Sequence, residues 1–127
     1  MNVVDSSGWL EYFADGPNAS AFARPIEAIQ SLIVPTLSLF EVFKRVSQQR
    51  SEDEALRAIA VMEQAKVVDL DRATALEAAR LAIQHRIAMA DSVMLATAQR
   101  HLATLWTQDA DFDGLPGFKY FAKQHRE

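Results

Sequence analysis

Leu32-Ile33-Val34-Pro35-Thr36-Leu37-Ser38-Leu39-Phe40-Glu41-Val42-Phe43-Lys44-Arg45-Val46 joins two hydrophobic patterns in one stretch. Its first three residues form a short apolar run closed by Pro35, which reads as a buried strand. Leu39, Val42, Phe43 and Val46 then recur at i, i+3, i+4 and i+7, the spacing of one helix face. Similar short runs return at Asn2–Val4, Lys66–Val68 and residues 104–106, with helical patterns between them. Ala55, Ile59 and Met62 make one stripe, and Leu76, Ala79 and Ile83 make another. Residues 90–102 are apolar on several faces, which predicts a helix buried on more than one side. Strands alternating with helices of this length require right-handed crossovers and a mostly parallel sheet covered on both faces. Residues 118–121 offer a last edge strand, so four or five strands are expected. Pro25 removes a backbone donor and is expected to split or bend the helical stretch between Asn18 and Ser31.

The whole chain, 127 residues with half of them apolar, has the size of a single α/β domain spanning residues 1–127. Glycine and proline punctuate it at Gly8, Gly16-Pro17, Pro25, Pro35, Gly114, Pro116 and Gly117, giving short connections; the polar residues 48–54 read as a solvated helix junction. Lys and Arg number 13 against 17 Asp and Glu, a net charge of −4 that argues against nucleic-acid binding through a broad basic surface. With no cysteine there are no disulfides, thiolate metal sites or thiol nucleophiles. No apolar stretch approaches the roughly 20 residues that span a bilayer. The start, Met1-Asn2-Val3-Val4-Asp5, has neither the basic nor the long apolar region of a secretory signal. A soluble, intracellular, cytoplasmic protein is expected.

In an open α/β sheet, ligands gather beyond the carboxyl ends of the strands. Asp5 directly follows the first run, Glu41 lies in the first turns of the helix after the second, Asp109 follows residues 104–107, and Asp91 opens the helix of residues 90–102. These four acids can meet at one rim. Taken singly, each has a structural explanation: Asp5 and Asp91 as helix caps, Glu41 as an i, i+4 partner of Arg45, and Asp109, Asp111 and Asp113 as turn formers before Gly114. Together in one cleft they repel, and a divalent cation resolves the conflict. Oxygen donors without His or Cys suit Mg²⁺ or Mn²⁺, whose matching chemistry is phosphodiester hydrolysis by metal-activated water. The metal would also supply the positive charge that an acidic protein needs at a scissile phosphate.

Four blocks, Val3-Val4-Asp5-Ser6-Ser7, residues 35–42, residues 90–98 and residues 105–112, resemble those of PIN domains. Their order and the chain length resemble the VapC-type toxins of bacterial toxin–antitoxin pairs. The resemblance implies a three-layer α/β/α fold, Mg²⁺- or Mn²⁺-dependent endoribonuclease activity, a cognate VapB-like antitoxin and a homodimer. Carried across, it makes Asp5 and Asp91 the central metal ligands, Glu41 the third acid and Asp109 the fourth, with Asp111 an alternative for that last place. Ser6, Thr107 and Ser92 could orient carboxylates or water, Ser92 alternatively satisfying the helix start. The chain departs from the usual pattern where Ile87-Ala88-Met89 precedes Asp91 and where Asp113 adds a charge.

Trp9, Tyr12 and Phe13 are expected in the core, and Phe40 and Phe43 are expected to pack the Glu41 helix onto the sheet. His85, His101 and His125 are scattered and receive no role, whereas Lys44, Arg45, Arg50, Arg86 and Lys119 are candidate phosphate contacts. A haloacid-dehalogenase-like phosphatase needs a second Asp where Ser7 stands. A Toprim-like site could use Glu41 with Asp109-Ala110-Asp111 but leaves Asp5 and Asp91 unexplained. The remaining alternative is a non-catalytic or degenerate binding module whose acidic rim holds a basic partner segment.

Overall fold

A computed structural model describes residues 1–112, 114–115 and 118–123. The elements run β1 (Asn2–Val4), α1 (Ser6–Phe13), α2 (Ala19–Glu27), a 3₁₀ turn (Ile29–Ser31), β2 (Leu32–Pro35), α3 (Thr36–Gln49), α4 (Glu52–Met62), β3 (Lys66–Val68), α5 (Arg72–His85), α6 (Met89–Arg100), β4 (Thr104–Thr107), a second 3₁₀ turn (Ala110–Phe112) and β5 (Phe118–Tyr120). All strand pairs are parallel, in the order β3-β2-β1-β4-β5. The chain therefore winds outward from β1 in one direction through β2 and β3, then starts again beside β1 with β4. The switch point lies between β1 and β4, where the flanking crossovers diverge and leave a crevice.

Alternation along the three central strands builds the layers. Val4, Leu32, Val34 and Trp106 face Trp9, Phe22, Val42, Val46, Ala55 and Met62, so α1 to α4 cover that side. Val3, Ile33 and Leu105 face Ala78, Leu81, Val93, Met94 and Leu95, so α5 and α6 cover the other. Every residue from Asp91 to Ala98 is buried, as a helix wedged between the sheet and α5 requires. The turn into α4 is fixed by Ser51, whose side chain accepts the Glu54 N–H at 3.1 Å. Asp71 caps α5 in the same way, accepting the Thr74 N–H at 2.8 Å. Helix α2 runs through Pro25 in its last turn, ends at Glu27 and gives way to the 3₁₀ turn.

Two packing expectations are corrected. The stripe Leu76, Ala79 and Ile83 faces solvent, with Leu76 59% and Ile83 80% exposed, while Thr74, Ala78 and Leu81 form the buried face of α5. Both stripes have helical spacing, and the one that packs with Val93, Met94 and Leu95 is Ala78 and Leu81, so the rotation of α5 and not the size of its apolar residues decides which is buried. Phe40 does not pack onto the sheet; it is 61% exposed, whereas Phe43 is partly buried against the core. Asp113, Pro116, Gly117 and His125 lie outside the described residues.

Candidate metal centre at the sheet switch point

Asp5 is the first residue beyond β1, and its backbone N–H donates to the Trp106 carbonyl of β4 at 2.9 Å. This bond pins the carboxylate over the switch point. Its Oδ2 accepts hydroxyl hydrogen bonds from Ser7 and Thr107, both at 3.0 Å. Asp5 occupies the N-cap position of α1 without making a side-chain cap bond, so its carboxylate is turned to the cleft and not to its own helix. Thr107 also accepts the Asp109 N–H at 2.9 Å, and Asp109 Oδ1 accepts the Asp111 N–H at 2.9 Å. The turn after β4 is thereby folded back toward β1.

From the other side of β1, the Ser6 hydroxyl donates to Glu41 Oε1 at 2.6 Å, tying α3 to the start of α1. Asp91 is not the cap of α6: Ala88 holds that position, and Asp91 lies in the first turn, where the positive helix end favours its charge. Ser92 donates to the Met89 carbonyl at 2.7 Å and so serves the helix start. Asp5, Glu41, Asp91 and Asp109 all line one cleft of about 410 Å³. Asp111 stands next to it: carboxylate oxygens of Asp91, Asp109 and Asp111 fall within 4.8 Å of one another. Both candidates for the fourth acid are thus at the site, with Asp109 in the cleft wall and Asp111 completing the close trio.

The electrostatics of this arrangement are unfavourable by themselves. Burial pushes the Asp5 carboxyl up from 3.8 to about 6, against the lowering effect of the Ser7, Thr107 and Ser6 hydrogen bonds. Asp91 rises from 3.8 to about 7, first through burial and then through the charges of Asp109, Asp5 and Asp111. Buried carboxylates that raise one another's proton affinity are what a bound cation relieves. The donor set is oxygen only, which fits a hard divalent ion better than zinc.

Lys44 and Arg45 of α3 line the same cleft. Glu41 makes its bond to Ser6 and no ion pair with Arg45; the ion pairs among the described residues are Arg50–Glu54 and Arg80–Glu77, both on solvated helix faces. Arg50 lines a separate apolar groove with Leu10, Phe13 and Val61, and the Lys119 ammonium lies 4.9 Å from the centroid of the Trp106 ring. Neither lines the acidic cleft. Sequence reasoning missed Ser7 as a partner of Asp5. The available signal was its position two residues after a strand-terminal Asp, where the first helical turn brings the hydroxyl back to the carboxylate.

A doubly wound parallel sheet with a carboxylate-lined cleft at its switch point defines the class of protein. Within that class, the family model of the PIN domain matches residues 3–117, and the chain belongs to this family. No curated protein matches it by sequence. Among solved structures, a toxin–antitoxin complex from Klebsiella pneumoniae is 21% identical with a TM-score of 0.76, covering 93% of this chain and 95% of that one. VapC20 of Mycobacterium tuberculosis, described as a sarcin-ricin-loop-cleaving toxin, is 14% identical with a TM-score of 0.77, covering 92% and 96%. FitAcB from Neisseria gonorrhoeae is 18% identical with a TM-score of 0.74, covering 95% and 97%. At these identities the likeness is one of fold.

Proposed function

We propose that this chain is a Mg²⁺- or Mn²⁺-dependent endoribonuclease, the toxin of a toxin–antitoxin pair. The observation that carries the reading is the convergence of Asp5, Glu41, Asp91 and Asp109 on one cleft at the sheet switch point. Asp5 and Asp91 would hold the cation, with Asp109 or Asp111 beside them. When bound, the ion supplies Lewis acidity to a phosphodiester and lowers the pKa of a water. Thr107 and Ser7 fix Asp5 Oδ2, and Ser6 fixes Glu41 Oε1, so two carboxylates are oriented before substrate arrives. Glu41 Oε2 can then orient a water at the mouth of the cleft. Lys44 and Arg45 place positive charge where the phosphates flanking the cut would lie.

The partners in this proposal are an RNA substrate, a VapB-like antitoxin and a second copy of the chain, in the cytoplasm. The antitoxin is supported by the fold likeness to toxin–antitoxin complexes. The test is cleavage of a mixed structured RNA by antitoxin-free protein with Mn²⁺ or Mg²⁺, with chelator and Asp91→Asn as controls. Cutting that requires both metal and Asp91 is expected. Cutting that survives Asp91→Asn would remove the site assignment, and neither cutting nor calorimetric metal binding would favour the binding-module alternative.

A further inference from the structure

Phe40 is 61% exposed and lines the acidic cleft. Isolated exposed apolar side chains are ordinary on protein surfaces. What distinguishes this one is its surroundings. The core-facing stripe of α3 is Leu39, Val42, Phe43 and Val46, and Phe40 lies off it. It belongs instead to the face carrying Glu41, Lys44, Arg45 and Gln48, all of which line the cleft with it. Phe40 and Lys44 are one helical turn apart, and the Lys44 ammonium lies 5.9 Å from the ring centroid, near the outer limit of about 6 Å for such a contact. A weak cation contact is easily exchanged for a phosphate, leaving the ring face open.

An open aromatic ring that shares a cleft with a carboxylate cluster and two cations matches an unpaired nucleotide: the base stacks while its phosphates meet the charges. A base inside a duplex has both faces covered by its neighbours and offers none to the ring. Resting on the nuclease reading above, we infer that Phe40 is a stacking platform for an unpaired base beside the scissile phosphate, which selects single-stranded over duplex substrate. Phe40 is then a specificity residue that acts by binding and leaves the acids untouched.

The test follows binding and cutting separately. A short oligoribonucleotide carrying one 2-aminopurine, single-stranded or annealed to its complement, is titrated with wild type, Phe40→Ala, Phe40→Leu and Phe40→Tyr in Ca²⁺, and cleavage is then measured in Mn²⁺. Wild type should quench the single strand and not the duplex. Loss of one base stack predicts about ten-fold weaker binding and a matching rise in KM with little change in kcat for Phe40→Ala. Phe40→Leu should behave like Phe40→Ala, and Phe40→Tyr should restore the quench, which mere apolar packing would not require. Because the ring is exposed, the thermal midpoint of all variants should match wild type. Equal RNA binding by wild type and Phe40→Ala, or rescue by Leu as complete as by Tyr, overturns the platform and leaves the ring to a protein partner. If wild type cuts with metal and Phe40→Ala does so equally well, the platform falls and the nuclease reading stands. Phe40-dependent binding with neither metal-dependent cutting nor calorimetric Mn²⁺ binding supports Phe40 as a platform for an unpaired base and defeats the nuclease.

Discussion

Two buried acids, Asp5 and Asp91, line the same cleft, and each is held well above its ordinary proton affinity. For Asp5 the rise from 3.8 to about 6 corresponds to ~3 kcal/mol of preference for the neutral form in the folded state. The folded state therefore keeps its protons while the unfolded chain loses them, so metal-free stability is greatest below about pH 4 in respect of these groups. It declines as pH rises through the folded values of about 6 and about 7. Asp91→Asn removes the charge that repels Asp5 and Asp109. The variant should gain on the order of 2 kcal/mol at pH 8 in chelator and show a flatter stability profile between pH 4 and pH 8. Urea unfolding at those pH values checks this; a variant less stable than wild type at pH 8 would mean that the acids are not in conflict. Thr107→Val tests the neighbouring shell, since its hydroxyl donates to Asp5 and accepts from the Asp109 backbone. Removal of such an orienting group typically costs about 10- to 100-fold in metal affinity or activity. Calorimetric Mn²⁺ titration of Thr107→Val should show that loss, and an unchanged affinity would separate Thr107 from the centre.

At the scale of the element, α1 sets the site because Ser6 and Ser7 begin it and Gly8 lets it approach the sheet. A Cβ at Gly8 would lie 2.7 Å from both the Phe22 ring and Val4 Cγ1, and Phe22 and Val4 are fully buried. Gly8→Ala gains up to ~1 kcal/mol in helix propensity but overpacks a site with no slack, typically costing ~1–3 kcal/mol. A net loss of stability is expected by thermal unfolding, along with weaker metal binding as Ser7 and Asp5 shift together. An unaltered midpoint would show that α1 can lift without cost. The strands were legible in the sequence because each central one is a short apolar run between turn residues, and the helices because their period is 3.6. The orientation of α5 was not. Leu76 and Ile83 outweigh Thr74 and Ala78 in any reckoning of apolarity, yet the helix is rotated so that Thr74, Ala78 and Leu81 meet the core and the larger pair meets solvent. Phe40 misled for a related reason: apolarity indicates the core, whereas position on α3 turned this ring to the cleft.

For the whole molecule, the sheet order converts four separated acids into one site, and that order is the part of the fold that composition and periodicity do not contain. Asp5 and Asp109 meet because β1 and β4 are neighbours, although about a hundred residues separate them in sequence. The placement of both Asp109 and Asp111 at the site was equally hidden, because it depends on a turn folded by the Thr107 hydroxyl and the Asp109 carboxylate. The same architecture governs how an acidic protein can hold an acidic polymer. With a net charge of −4 and a carboxylate cleft, the proposed nuclease function would draw its attraction to RNA from the cation and from Lys44 and Arg45, the two cations that line the cleft. Two phosphate contacts on a single strand predict a slope of about −1.4 for log K against log salt, at roughly 0.7 per contact. Between 50 and 200 mM salt the affinity should thus fall only about seven-fold, against 10³-fold or more for a protein with six to ten phosphate contacts. Fluorescence anisotropy of a single-stranded RNA, measured in Ca²⁺ and again in chelator, checks both parts. Chelation should weaken binding sharply at every salt concentration, because it restores the uncompensated carboxylates next to the phosphate. A slope steeper than about −4, or binding indifferent to chelator, would require a distributed basic surface in place of a local cation-assisted site.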